Sequence, residues 1–256
     1  MRILGIDTAG PLNGVALVEG EAVRAALALG QPPALRRQLL PLIDTLLRQT
    51  GVSLADLHAL AVNLGPGTFT GIRVGLATAQ GLALASGKPL LGCSGLEALA
   101  AQVQGWQGLI CPVLEARRGE VYAALYRRQG DDLCELLPGT VLTPEALCAT
   151  LEERVLLVGS GVHAYAEVFI ARLGERALLV ATPLDPCRAV AIARLAQRRL
   201  AASQEAPLPP PKPLYIRAAD ARLPRRRPVA AGGALGVGQA HQQEDAGPCW
   251  TESTKR

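Results

Sequence analysis

Residues 60–89 read LAVNLGPGTFTGIRVGLATAQGLALASGKP, and three textures follow one another within them. Residues 60–63 close an apolar run with a β-branched residue, which predicts the end of a strand. Gly65-Pro66-Gly67-Thr68-Phe69-Thr70-Gly71 is a turn whose glycines permit conformations, or close approaches, that a β-carbon forbids. Residues 72–86 carry small and apolar side chains on nearly every face, and Gly87-Lys88-Pro89 supplies the stop. Strand, glycine turn and helix N-terminus in succession can offer backbone N–H groups to an anion. The spacing argues otherwise. A lysine-bearing phosphate loop needs Gly-x-x-x-x-Gly-Lys-Ser/Thr, and no lysine stands after Gly71. The dinucleotide pattern Gly-x-Gly-x-x-Gly fails as well, because Gly71 comes one residue late after Gly65 and Gly67. Spacing favours a tight turn that lets a nearly all-apolar helix lie flat on a sheet. Gly71, Gly75, Ala77, Ala79, Gly81, Ala83 and Ala85 ring that helix with small residues, so it needs cover on several sides, from its own core or another chain.

Upstream, residues 2–7 form an apolar run ending in Asp7-Thr8, residues 14–18 a second, and Glu19-Gly20-Glu21 turns into a third over 22–29. Three short antiparallel strands are expected. Residues 33–51 predict a helix with Leu35, Leu39, Leu42, Ile43, Leu46 and Leu47 on one stripe, kinked or split by Pro41. A strand over 58–63, the central helix and a strand over 89–93 form a βαβ unit, hence a right-handed crossover and parallel pairing. Ser94-Gly-Leu-Glu97 is a capping box opening a helix to residue 104. The second half restarts with strands over 108–114, 120–127 and 133–137. A helix follows from Thr143-Pro144 to residue 151, then a strand over 155–158, a helix over 162–173, a strand over 178–180 and a helix capped by Asp185. Both halves repeat one loose order, strand–turn–strand and then α/β. The chain is therefore read as an α/β protein with two related mixed-sheet subdomains, 1–104 and 105–206. A proline-rich linker and terminal clip (207–217) and a basic tail (218–256) follow; the tail's Arg, Pro, Gly and Gln content cannot bury a core, so it is expected to be disordered.

With 256 residues, 49% apolar and only 3% aromatic, the core must be aliphatic. No apolar run is long enough to span a bilayer, and Asp7 and Asn13 cut the first run short of a signal peptide, which predicts a cytoplasmic chain without membrane attachment. The six cysteines, at 93, 111, 134, 148, 187 and 249, include no Cys-x-x-Cys pair and are expected to be reduced, buried hydrophobes. The formal charge of +4 is modest and gathers toward the C-terminus, so the folded part offers no strongly basic nucleic-acid face.

Asn63-Leu-Gly-Pro-Gly-Thr-Phe-Thr-Gly-Ile-Arg-Val-Gly75, the opening Ile3-Leu-Gly-Ile-Asp-Thr8 and Glu115-Ala-Arg-Arg-Gly-Glu-Val-Tyr122 together resemble the bacterial TsaB (YeaZ) family, over roughly residues 1–217. That resemblance implies an actin-like (ASKHA, ribonuclease-H-like) fold. It implies a role in forming threonylcarbamoyladenosine next to the tRNA anticodon, as a non-catalytic scaffold for a related catalytic subunit, TsaD. A TsaE-type ATPase, a homodimer of the free protein, and tRNA reached through the complex are the other implied partners. No cofactor of its own is implied, with ATP or ADP placed at an interface shared with a partner. The superfamily approaches phosphate and metal near Asp7 and Thr8; the alternative is that Asp7 is a turn-forming residue. Pairing is assigned to Leu39, Leu42, Ile43 and Leu46 with Thr70, Arg73, Val74, Ala77, Thr78 and Gly81. Leu35-Arg36 stands where the family usually has His-Ser, and Glu115 where it often has aspartate.

Catalytic machinery is hard to find. The three histidines, at 58, 163 and 241, show no His-x-x-x-His spacing of the kind the catalytic relatives use for their metal, and His58 reads as packed or surface. Gly159-Ser160-Gly161 falls short of Gly-x-Ser-x-Gly and has no placed histidine. Glu115, Arg117, Arg118 and Glu120 form either a solvated turn or a contact surface. Arg117, Arg118, Arg225, Arg226 and Arg227 are the candidate tRNA contacts. The competing class is a stand-alone actin-like enzyme, a phosphotransferase using Asp7 or a peptidase.

Overall fold

The computed structural model describes residues 1–30, 35–180, 188–202 and 210–216. Strands β1 (Arg2–Asp7), β2 (Leu12–Glu19) and β3 (Ala22–Gly30) are followed by α1 (Leu35–Thr50), β4 (Ala59–Asn63), α2 (Phe69–Ser86), β5 (Leu90–Cys93) and α3 (Gly95–Gln102). The second half has β6 (Gly108–Glu115), β7 (Val121–Gln129), β8 (Asp132–Leu142), α4 (Pro144–Thr150), β9 (Val155–Val158), α5 (Ser160–Ala164), α6 (Ala166–Leu173), β10 (Ala177–Leu179) and α7 (Ala189–Ala202). The first sheet has the order β3-β2-β1-β4-β5 and the second β8-β7-β6-β9-β10, so each strand of one half has its counterpart five places on. In both, an antiparallel meander pairs with two parallel strands. The repeat anticipated from element order is present in the topology.

Two helices cross over between the halves. α7, placed by sequence order with the second subdomain, lays Ala191, Ile192, Ala193, Leu195 and Ala196 against Ile3, Ala59, Ala61 and Leu91 of the first sheet. At Gly5 a β-carbon would come within 2.2 Å of the Ala189 carbonyl, so only glycine lets α7 lie that close to β1. α3, assigned to the first subdomain, packs Leu96, Leu99 and Ala100 on Ile110, Ala124, Tyr126 and Val158 of the second sheet. The boundary near residue 104 therefore does not separate two self-contained bodies. Each sheet is covered on one face by helices of its own half and on the other by a helix from the other half.

On the opposite face of the first sheet, α1 and α2 close the core. Leu39, Ile43 and Leu46 pack with Leu4, Ile6, Val15, Leu17, Leu60 and Leu76, and Leu42 and Val74 lie at the edge of the same cluster. This corrects the assignment of Leu39, Ile43 and Leu46 to a partner surface: their stripe is taken up by the chain's own sheet. α1 is also one continuous helix despite Pro41, which is exposed. Thr45 Oγ1 donates to the Pro41 carbonyl at 2.8 Å. The helix expected over 162–173 is broken instead, at Tyr165 (φ −125°, ψ 27°), into α5 and α6. The Ser94–Glu97 box does not close as expected: Ser94 accepts from Leu96 N, while Glu97 turns away to pair with Arg199 of α7. Cys93, Cys111 and Cys148 are buried free thiols, as expected, but Cys134 is exposed on β8. No helix among the described residues is long and apolar enough to cross a membrane.

Candidate functional site

The glycine turn and the end of β1 meet at one corner and close on each other. Thr68 N donates to the Ala9 carbonyl at 2.9 Å. A β-carbon at Gly67 would fall 2.1 Å from that same oxygen, one at Gly71 within 2 Å of the Thr8 carbonyl, and one at Gly75 2.1 Å from Thr8 Oγ1. The glycines are there for contact between chain segments. Two donors at the start of α2 are used locally too: Gly71 N reaches Thr68 Oγ1 at 3.2 Å and Ile72 N the Thr68 carbonyl at 3.0 Å. Gly65 N is held by Asn63 Oδ1 at 2.9 Å. An anion-binding loop needs those N–H groups pointing outward and free.

Asp7 and Thr8 are likewise turned inward, which corrects their reading as a nucleotide edge. Asp7 is fully buried. Its Oδ1 accepts from Asn63 Nδ2 at 2.7 Å and Ala9 N at 3.1 Å. Its Oδ2 accepts from Arg188 Nε at 2.9 Å and Arg188 N at 3.2 Å. Thr8 Oγ1 donates to the Gly71 carbonyl at 2.7 Å. The carboxylate thus has four donors and a buried guanidinium as its counter-charge, and no face left to offer a phosphate-bound metal. Sequence reasoning missed Arg188. It lies 181 positions from Asp7, and nothing local in Pro186-Cys187-Arg188-Ala189 marks it.

Outside this corner, α2 keeps one stripe in solvent: Thr70, Arg73, Ala77, Gly81 and Leu84, with Leu84 86% exposed. Val74 and Thr78 are half-buried beside it. Arg73 is already engaged by the chain itself. Its guanidinium lies 3.6 Å from the Phe69 ring centroid, and its Nε donates to Tyr215 Oη at 2.8 Å. Tyr215 stacks on Phe69 with centroids 5.5 Å apart, and Leu214 N donates to the Leu64 carbonyl at 2.8 Å. The terminal segment docks as a clip and not as a strand, and Ile216 reaches the cluster under the second sheet.

In the β6–β7 turn, Arg117 and Arg118 are exposed and Arg118 takes a left-handed conformation at φ 65°. Glu115 N, at the end of β6, donates to Ser160 Oγ at 3.2 Å. Ser160 therefore serves as a tie between turns. His58 is a surface residue whose Nδ1 accepts from Arg2 N at 3.0 Å. Among the described residues no cluster of three metal-ligating side chains occurs. The side chains of Leu35 and Arg36, Asp185, and Arg225, Arg226 and Arg227 lie outside the described residues.

Two sheets of identical order, with a glycine turn packed against the first strand's end, define an actin-like α/β chain. The family model for TsaD, tRNA N6-adenosine threonylcarbamoyltransferase, matches residues 33–224. Within that group the chain belongs to the TsaB (YeaZ) family. The tRNA threonylcarbamoyladenosine biosynthesis protein TsaB of Escherichia coli is 36% identical over 174 residues, 66% of this chain and 75% of that one. The Bacillus subtilis TsaB is 35% identical over 138 residues, 54% and 60% of the two chains. YeaZ from Pseudomonas aeruginosa superposes with a TM-score of 0.66 at 29% identity, covering 77% of this chain and 92% of that one. The hexokinase of Thermus thermophilus (TM-score 0.52, 14% identity, 78% and 100% covered) shares the fold alone.

Proposed function

We propose that this chain acts in threonylcarbamoyladenosine formation on tRNA as the non-catalytic partner of a TsaD-type subunit. The observation that carries the reading is the closed corner: the carboxylate that a phosphotransferase of this fold would aim at a metal is instead buried against Arg188. A stand-alone phosphotransferase using Asp7 finds no support in that geometry. The names of the relatives supply the pathway, and the match to the TsaD model supplies a partner built on the same kind of domain.

Pairing runs through the wet stripe of α2, from Thr70 through Ala77 and Gly81 to Leu84. Small side chains there let a second helix approach closely, and an exposed leucine gives it something to bury. The same stripe serves a second copy of the chain when no catalytic subunit is present. ATP or ADP is held between subunits and not by this chain alone, and a TsaE-type ATPase and tRNA join the assembled complex. Arg117 and Arg118 remain the candidate contacts for tRNA on the described surface. The test is co-elution with a TsaD-type subunit in size-exclusion chromatography. Ala77→Asp and Leu84→Asp should keep the fold and lose the complex. Retention of the complex by both variants sinks the assignment of this stripe.

A further inference from the structure

Far from Asp7, three arginines converge on one cleft. β1 pairs Arg2 with Glu19 at one end and Asp7 with Gly14 at the other, so the β2–β3 turn lies at the end away from Asp7. There the end of α3, the β7–β8 turn and the middle of α7 line an open cleft of about 690 Å³. Arg128, Arg194 and Arg198 line it, together with Gln102, Gln104 and Gln107, and Asp131 is the one acidic residue among the described lining. None of the three arginines forms an ion pair among the described residues.

Each arginine gives one nitrogen to a neutral carbonyl. Arg128 Nη2 reaches Ala100 O at 3.0 Å, Arg194 Nη2 reaches Glu21 O at 3.4 Å and Arg198 Nη1 reaches Asp131 O at 3.3 Å. Among the described residues, Arg128 Nε and Arg194 Nε are buried with no hydrogen-bond partner. Arg128 is only 8% exposed. Its burial and the neighbouring charge of Arg198 both push its pKa below the ordinary arginine value, with Asp131 opposing them. A guanidinium withdrawn from water with donors unfilled is costly, and like charges around one cavity add repulsion. A bound anion offsets the repulsion among the three charges.

We infer that this cleft binds a small phosphorylated ligand through Arg128, Arg194 and Arg198. The planar guanidinium fork matches phosphate oxygens, and donors from separate elements line a single open cleft. That volume falls in the range of small-molecule sites. A polynucleotide backbone is disfavoured because Arg128 is recessed, whereas strand-tracking cations stand proud of the surface. This site lies apart from the α2 stripe and does not depend on the pairing proposed above.

The experiment is calorimetric titration of the full chain with inorganic pyrophosphate, repeated with Arg194→Gln, Arg198→Gln and Asp131→Asn. Arg194 and Arg198 are the less buried members, so both variants should melt close to the parent by circular dichroism. Pyrophosphate should bind the parent and raise its melting temperature. Each arginine variant should weaken binding about tenfold or more, as expected for one charge-assisted contact, while Asp131→Asn tightens it. Absence of binding to the parent, or unchanged affinity in both arginine variants, overturns the inference. Tighter binding of tRNA than of pyrophosphate, lost in the same variants, assigns the cleft to RNA and overturns the small-ligand reading.

Discussion

Replacing Arg188 by alanine tests the closed corner directly. The substitution removes the guanidinium whose Nε sits 2.9 Å from Asp7 Oδ2, with both residues inside the protein. Breaking a buried pair from one side typically costs about 3–5 kcal/mol, because the remaining charge keeps its desolvation penalty. Part of this is offset. Among the described residues Arg188 Nη2 is itself buried without a hydrogen-bond partner, and its removal relieves about 1 kcal/mol. Asp7 also keeps the donors from Asn63, Ala9 N and the backbone N of residue 188. The net loss is about 3 kcal/mol, which for a chain of this size lowers Tm by about 6–12 °C. Urea unfolding followed by circular dichroism measures it. The control is Asp7→Asn with Arg188→Met, in which no charge is left buried and asparagine can still accept from Asn63 and Ala9 N. That double variant should recover part of the loss, the remainder reflecting the new amide nitrogen set against the backbone N–H of residue 188. An Arg188→Ala protein as stable as the parent, or a double variant no better than the single one, would refute the view that this ion pair closes the corner.

Gly75→Ala should destabilise the isolated chain by about 1–3 kcal/mol, since the new methyl meets Thr8 Oγ1, which cannot turn away without releasing the Gly71 carbonyl. Gly81→Ala, on the same helix but facing open space, should stabilise it by up to about 1 kcal/mol; paired urea midpoints check both. Leu46→Asp should abolish folding by circular dichroism, because it places a carboxylate in the core, and Leu84→Asp should leave the spectrum unchanged. In a Cys187→Ser, Cys249→Ser background, an aromatic disulfide reagent should label Cys134 in the native protein and spare Cys93, Cys111 and Cys148. Burial pushes the Cys93 thiol up to about 12, so at neutral pH it stays protonated, and reactivity appears only on unfolding.

What could be read from the sequence was local. The apolar runs of β1 and β2, the glycine stop of α2 at Gly87, and the Thr143 cap with Pro144 behind it are written in neighbouring residues, and those elements stand where expected. The stripe on α1 was also legible, but its destination was not. Leu39, Ile43 and Leu46 look the same whether they face a sheet of the same chain or a helix of another, and burial alone decides between the two. Spacing did discount the phosphate-loop reading of residues 65–71, although it gave no hint that Thr8 and Ala9 are what the glycines accommodate. Arg188 and the Arg128–Arg194–Arg198 cleft were invisible for one reason. Their neighbours in space are remote in sequence, so neither composition nor periodicity carries a trace of them.

The exchange of covering helices has a consequence for how the protein comes into being. The first sheet is synthesised early, yet the apolar face formed by Ile3, Ala59, Ala61 and Leu91 stays bare until α7, near the end of the folded body, has emerged from the ribosome. A nascent chain truncated after α3 would hold a helix suited to a sheet not yet made and a sheet lacking its own lid. The two halves should therefore form and melt in a single transition, and an isolated half should be prone to self-association.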